Sequence, residues 1–114
     1  MSEAPATFDS GVRPEDLDPE RPRPLVTPWG HFALYTASGR VVAAQSFCPH
    51  MDGPLYEGSL VGDVMTCPWH SWRFSLTSGA CLDAGANDCA GVALLARCPV
   101  SIGPKGTFVL GRPS

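Results

Sequence analysis

Four residues with metal-binding side chains occur in two short groups in the middle of the chain. The groups are Cys48-Pro49-His50 and Cys67-Pro68-Trp69-His70, with sixteen residues between them. Each group contains a proline, which regular helices and sheet interiors exclude, so each is expected to form a tight loop. Two thiolates and two imidazoles supply four ligands of the kind that transition metals prefer. The sequence therefore predicts a metal centre held between two loops.

The combination of Cys-x-His with Cys-x-x-His resembles the pattern of Rieske iron–sulfur proteins. In such a cluster two cysteines hold one iron of a [2Fe–2S] unit, and two histidines replace cysteines on the other. The resemblance implies that Cys48 and Cys67 hold the buried iron, and that His50 and His70 hold the outer iron near the surface. It extends over residues 25–110 and implies an all-β fold, an antiparallel β-sandwich with an inserted cluster-binding subdomain of two loops.

Residues beside the ligands are expected to shape the surroundings of this cluster. Met51 and Gly53 follow the first pair, whereas Trp69 and Trp72 flank the last ligand. Backbone N–H groups of these segments are expected to bond the sulfur atoms, and the tryptophans to shield them from water. The alternative is that one tryptophan belongs to a contact surface for electron transfer. Gly53 and Gly58 are expected to let backbone segments approach closely.

The chain departs from the branch of the Rieske family that belongs to respiratory complexes. That branch has a cysteine beside each ligand pair, and the two form a disulfide, but here the positions hold Gly53 and Trp69. It also has a serine and a tyrosine whose hydroxyls bond the cluster sulfurs, where this chain has Trp72 and Phe74. Fewer such bonds stabilise the reduced form less. We therefore expect a reduction potential toward the low end of the Rieske range of roughly −150 to +300 mV.

Length and composition predict one small domain rich in turns. The chain has 114 residues, 12 glycines, 12 prolines and a formal net charge of −3. It has no cluster of basic residues for nucleic acid, and no apolar run of the roughly 20 residues that span a membrane. Residues 1–24, rich in proline and acidic side chains, are expected to be a flexible leader. Residues 25–112 are expected to be the Rieske domain, with a cluster-binding subdomain at about 47–76.

Apolar stretches separated by turn residues predict short antiparallel strands after the leader. The predicted strands are 25–27, 31–36, 40–46, 60–61, 64–66, 72–76, 80–82, 92–102 and 107–110. Gly62-Asp63 predicts a tight hairpin whose second strand delivers Cys67. Residues 83–91 are expected to be a surface loop.

The other cysteines and the third histidine lack ligand spacing. Cys81, Cys89 and Cys98 are expected to be small buried hydrophobic residues, with Cys89 the most exposed to oxidation. His31 is expected to be an ordinary surface or half-buried residue. Five cysteines do not fit a fully paired disulfide framework, and the N-terminus lacks the features of a secretory signal. These two observations predict a cytoplasmic location.

The function implied by the resemblance is electron transfer, with no catalysis by this chain alone. Outside the cluster motif only His31 remains, so an oxygenase iron site of two histidines and a carboxylate is not expected. Nor is there a Rossmann glycine motif for a nicotinamide or flavin. The favoured interpretation is a monomeric Rieske-type ferredoxin that passes electrons from a reductase to an oxygenase or another oxidoreductase. The alternatives are an electron-transfer subunit similar to the small subunit of nitrite reductases, a redox sensor, and a zinc site, for which Cys-x-His spacing is unusual.

Overall fold

The computed structural model describes residues 6–47, 53–68, 72–82 and 95–113. These residues form ten short strands and two single-turn 3-10 helices, Pro14–Asp16 and Leu55–Glu57. The strands are β1 Thr7–Asp9, β2 Arg23–Thr27, β3 Gly30–Ala37, β4 Arg40–Gln45, β5 Ser59–Val61, β6 Val64–Thr66, β7 Arg73–Ser75, β8 Arg97–Cys98, β9 Val100–Ile102 and β10 Phe108–Gly111. In this described part of the chain no helix is long and apolar enough to cross a membrane. The predicted all-β class is confirmed.

Three antiparallel sheets form three layers. The middle sheet has the strand order β2-β3-β4-β8, and the outer sheets have the orders β1-β10-β9 and β5-β6-β7. Successive residues of a strand point to opposite faces, so the middle sheet supplies side chains to two cores. The first core, against β5-β6-β7, includes Ala33, Tyr35, Ala44, Met65, Cys67, Trp72 and Phe74. The second core, against β1-β10-β9, includes Val12, Phe32, Leu34, Cys98, Phe108 and Leu110.

The strand predictions are confirmed at the hairpin and corrected after residue 92. Val61 pairs with Val64, and Gly62 between them has a φ of +61°, which suits a residue without a Cβ. The predicted strand 92–102 is divided, because Pro99 lies between β8 and β9 and has no backbone N–H to donate. The chain changes there from the middle sheet to an outer sheet. Residues 92–94, and all of the predicted loop 83–91, lie outside the described residues.

The prediction that sheet structure starts at residue 25 is wrong for the described part of the leader. In β1, Phe8 lies opposite Leu110 of β10, and Val12 is 3% exposed in the second core. A three-residue strand carries little sequence signal of its own. It forms because it pairs with β10, which comes almost a whole chain length later. The expected domain boundary after residue 24 stays a prediction, with a strand on its N-terminal side.

A hydroxyl–carboxylate contact fixes β1 to the rest of its sheet. The Thr107 hydroxyl donates to Oδ1 of Asp9 over 2.6 Å, across 98 positions of sequence. This hydrogen bond, and to a smaller extent one from the backbone N–H of Gly11, hold the pKa of the Asp9 carboxyl below its usual range. The carboxylate form is therefore the one that ties the leader to the sheet.

Cys98 is expected to resist thiol reagents in the native protein. It is a free cysteine, 6% exposed in the second core, and burial raises the pKa of its thiol from 9.0 to about 11. The reactive thiolate is scarce at pH 8. Iodoacetamide should modify the Cys98 peptide only after unfolding, as read by mass spectrometry. Rapid native labelling would contradict this assignment.

The same shift has a stability consequence with a definite sign. In the unfolded chain the Cys98 thiol loses its proton near 9.0, whereas in the folded chain it keeps the proton until about 11. The stabilising contribution of this group is complete below pH 9 and is lost as the pH rises toward 11.

Candidate metal centre

Cys67 is the predicted ligand that the structure describes. It follows β6, its thiol is free, and its side chain is 1% exposed in the first core. Within the described ranges no group of three or more His, Cys, Asp or Glu side chains could hold a metal ion. The predicted site residues outside those ranges are Cys48, His50, Met51, Trp69 and His70. Their assignment stays a prediction, and the burial of Cys67 is compatible with its place at the inner iron.

The second predicted ligand loop is closed at its base by a backbone hydrogen bond. The N–H of Cys67 donates to the carbonyl of Trp72 over 2.8 Å. Just before this point Thr66 of β6 pairs with Arg73 of β7, so the loop begins and ends between two paired strands. Trp72 is 8% exposed and packs in the first core with Cys67. Trp72 is therefore placed to shield the Cys67 thiol from water, as the sequence analysis expects.

The first predicted ligand loop also starts and ends at one place. Phe47 and Pro54 form an isolated antiparallel bridge, so the residues on the two sides of this predicted loop are neighbours. The ring of Tyr56 contacts the ring of Phe47 edge-on, with 6.0 Å between the centroids. Gly53, at the returning end, is buried.

Gly58 permits the close approach of two segments near Cys67, as expected from the sequence. A Cβ on Gly58 would lie 1.8 Å from the carbonyl oxygen of Thr66. That oxygen belongs to the residue before Cys67. The position of Cys67 therefore depends on the absence of a side chain at residue 58.

Gln45 joins the start of the first predicted ligand loop to the residue just before β8, a role that the sequence analysis did not find. Its Nε2 donates to the carbonyl of Phe47, and its Oε1 accepts from the N–H of Ala96, both over 2.7 Å. The buried hydroxyl of Tyr35 donates to the Gln45 carbonyl over 3.0 Å. A polar amide at the end of an apolar strand, three residues before Cys48, is the only sequence signal for this role.

Replacing Gln45 with alanine should destabilise the domain and loosen the first loop. The change removes the side-chain partners of the half-buried Phe47 carbonyl and Ala96 N–H, at a cost of about 1 kcal/mol for each lost bond. Urea unfolding followed by circular dichroism measures this loss. Tyr35→Phe is the control, because it removes one bond at the Gln45 backbone, worth about 1 kcal/mol, and keeps the amide. Equal stability of the two variants would contradict the role of the amide.

Cys81 corrects one expectation of the sequence analysis. It is disulfide-bonded, not an unpaired buried residue. Its side chain does pack against the first core, and its backbone forms an isolated antiparallel β-bridge with Phe74. Cys67 and Cys98 are free, so its partner lies outside the described residues. Disulfide pairing depends on proximity in space, which cysteine spacing alone does not give.

We expect the partner of Cys81 to be Cys89. The remaining possibility is Cys48, and a thiolate that binds iron cannot also be in a disulfide. Peptide mapping of the cluster-loaded protein without reduction, after alkylation of free thiols, should recover one peptide pair that joins residues 81 and 89. Recovery of a pair that joins Cys81 to Cys48 would count against the ligand assignment.

The sequence model of the family described as "Rieske [2Fe-2S] domain" matches residues 12–99. The chain belongs to this family. Membership implies a Rieske-type [2Fe–2S] cluster, as the ligand spacing predicts. The match starts within the described leader and ends after β8, so it includes both loops and the whole middle sheet of the Rieske domain.

Individual relatives agree with this membership. A cholesterol 7-desaturase of Ciona intestinalis is 34% identical over 76 residues, which are 61% of this chain and 16% of the desaturase. The ferredoxin of carbazole 1,9a-dioxygenase from Nocardioides aromaticivorans IC177 has a TM-score of 0.74 and 21% identity over 96% of this chain and 100% of its own. A putative NADH-dependent nitrite reductase small subunit from Mycobacterium tuberculosis has a TM-score of 0.74 and 22% sequence identity. The likeness covers 95% of this chain and 96% of that subunit. The two structural likenesses show the fold, and the chain spans about a sixth of the desaturase.

The described residues of the Rieske domain fit such a cluster. Cys67 presents a buried free thiol, and thiolate is the ligand that the inner iron takes. At the positions where respiratory Rieske proteins have hydroxyls, Trp72 and Phe74 are both buried in the first core. Both side chains pack in the same core as Cys67, and neither has a hydroxyl that could bond a cluster sulfur.

Proposed function

We propose that this Rieske domain is a one-electron carrier that passes electrons from a reductase to an oxygenase or another oxidoreductase. The observation that carries the proposal is the end-to-end likeness to a dioxygenase ferredoxin, combined with membership of the Rieske family. An electron carrier of this kind needs a cluster near its surface and a partner-binding face, but no substrate pocket. The proposal includes no catalytic activity of the chain alone.

The ligands in this proposal are the four residues of the two loops. Cys48 and Cys67 would hold the inner iron, and His50 and His70 the outer iron. A [2Fe–2S] cluster supplies a centre that gains and loses one electron at a time. The chain's own part is to keep water from the inner thiolates, as the burial of Cys67 does, and to present the imidazole edges to the partner.

A direct test combines metal analysis with electron paramagnetic resonance. The chain would be produced aerobically, assayed for iron and acid-labile sulfide, reduced with dithionite without air, and measured at low temperature. We expect two irons and two sulfides per chain, with the rhombic signal and low average g-value of mixed cysteine–histidine ligation. A redox titration should follow a single one-electron curve. Zinc in place of iron, or an all-cysteine signal, would overturn the ligand proposal.

A second candidate is the small electron-transfer subunit of a larger oxidoreductase. The likeness to the nitrite reductase small subunit has the same TM-score as the likeness to the ferredoxin, so the fold favours neither. Size-exclusion chromatography of the tagged protein extracted from its own source separates the two candidates. Elution near the 12.1 kDa of the single chain supports the carrier, and elution as a stable large assembly supports the subunit.

We propose a cytoplasmic monomer that binds redox partner proteins, with neither nucleic acid nor membrane as partner. The net charge of −3 and the exposed acidic residues of the leader suit transient docking to a basic face. These residues are Glu15, Asp16, Asp18 and Glu20. The disulfide of Cys81 is a bond typical of oxidising compartments. Trapping free thiols during lysis tests the location. In a reducing cytoplasm Cys81 should be recovered as a free thiol, and its disulfide would then form only on exposure of the purified protein to air; recovery of Cys81 already in a disulfide would contradict the cytoplasmic proposal.

A further inference from the structure

Ser46 carries a buried hydroxyl that lacks a hydrogen-bond partner among the described residues. The residue is 1% exposed, and no donor or acceptor of that part of the chain bonds its Oγ. Buried polar side chains almost always have a partner, and an unmade bond costs about 1–3 kcal/mol. The hydroxyl therefore indicates a partner other than the described protein atoms.

The backbone of Ser46 is held in place on both sides. Its N–H donates to the carbonyl of His31 over 3.0 Å, and its carbonyl accepts from the N–H of Tyr56 over 3.3 Å. It stands directly after Gln45, whose amide holds the Phe47 carbonyl. The hydroxyl therefore starts from a fixed point at the base of the first ligand loop, with little freedom to turn toward solvent.

The position of Ser46 in the sequence places it beside the predicted cluster. It precedes Cys48 by two residues and follows Ala44 by two. Ala44 belongs to the first core, which also contains Cys67. Ser46 lies at a bend just after β4, and its carbonyl accepts from the N–H of Tyr56, which packs against that same core.

Two other buried polar atoms of the described residues share the lack of a partner, Nε1 of Trp29 and Nε of Arg97. Trp29 lies in the turn between β2 and β3. The Arg97 atom packs against Gly79, 3.2 Å from the position that a Cβ would take there. Neither residue is next to a predicted ligand. Only Ser46 combines the unpartnered atom with such a place.

We propose that the Ser46 hydroxyl donates a hydrogen bond to a sulfur atom of the cluster, either the Cys48 thiolate or a bridging sulfide. This inference rests on the proposed ligand set. Reduction adds negative charge to the cluster, so a donor to sulfur stabilises the reduced state more than the oxidised state and raises the potential. Ser46 would thus supply a hydroxyl donor from the start of the first loop, whereas Trp72 and Phe74 carry no hydroxyl.

The test is the redox behaviour of Ser46→Ala in the cluster-loaded protein. Loss of the donor should lower the equilibrium constant for reduction by a fixed electron donor about tenfold, equal to roughly 59 mV for one electron. Ser46→Cys keeps a weaker donor of similar size and should fall between alanine and the parent. Ser101→Ala, an exposed serine of β9, is the matched control and should leave the potential unchanged.

A spectroscopic readout separates a bond to sulfur from a purely structural effect. After exchange into heavy water, pulsed electron paramagnetic resonance of the reduced parent should show an exchangeable deuteron coupled to the cluster, and Ser46→Ala should lose it. An unchanged potential with an unchanged deuteron signal would overturn the proposal and assign the hydroxyl to a buried water. If alanine prevents cluster loading, Ser46→Cys decides by the same two readouts. Absence of the Rieske signal from the parent itself would instead refute the ligand set.

Discussion

Replacing Cys67 with alanine should abolish the visible absorbance of the protein and leave it without stoichiometric iron. Cys67 is the predicted inner-iron ligand with a described position, a free thiol 1% exposed at the end of β6. No other described cysteine lies next to the second loop as a free thiol, because Cys81 is disulfide-bonded. Without this thiolate the inner iron loses half of its protein ligands. Iron analysis and the reduced-state resonance spectrum measure the effect.

Cys98→Ala is the matched control for this experiment. Cys98 is also free and buried, but it belongs to the second core, on the other face of the middle sheet. Both changes remove one buried sulfur, so they carry similar packing costs. The control should keep full iron content and an unaltered spectrum. A cluster retained in Cys67→Ala, or lost in Cys98→Ala, would refute the assignment of Cys67.

Gly58→Ala should have the largest effect among single-methyl additions at the glycines of the described ranges, although it changes no predicted ligand. Gly58 has a φ of −81°, which any residue adopts, so the cost comes from contact alone. The new Cβ would lie 1.8 Å from the Thr66 carbonyl oxygen, and a backbone atom can yield only by moving β6. We expect a loss of about 3 kcal/mol in unfolding free energy, at the upper end of overpacking costs. Thermal unfolding and the rate of iron release to a chelator measure it.

Gly111→Ala provides the comparison for Gly58. A Cβ there would lie 3.3 Å from a side-chain atom of Pro99, a contact that small adjustments relieve. We expect a change within about 1 kcal/mol and iron release at the parent rate. If Gly58→Ala released iron no faster than Gly111→Ala, the β5–β6 approach would not control the position of Cys67.

The sequence predicts the middle of this fold well because local signals and tertiary contacts agree there. Residues 32–35 are all buried because their side chains alternate between the two cores. Gly62-Asp63 marks the hairpin between β5 and β6 without help from distant residues. The ligand spacing likewise predicts the family and its cluster from residues that are close in sequence. These features required no knowledge of what packs against them.

The missed features depend on residues far apart in the chain. Strand β1 exists because β10 is available to pair with it. In the sequence, Pro99 is one more residue of an apolar run. Its role as a strand boundary follows only from the fold, because β8 before it and β9 after it belong to different sheets. The amide of Gln45 has one partner at the start of the first predicted loop and another just before β8. The disulfide of Cys81 likewise requires a spatial neighbour that its sequence position does not reveal.

The pairing of β1 with β10 has a practical consequence for protein engineering. Thr7 lies directly opposite Gly111, so the two ends of the described domain are neighbours on one sheet. A short linker could join them, and new ends could then be opened at the exposed turn around Gly39 or Gly106. The same adjacency would allow the domain to be inserted into a loop of a host enzyme, with both connections leaving from one edge. An electron donor could thus be grafted next to an acceptor site without cutting either ligand loop.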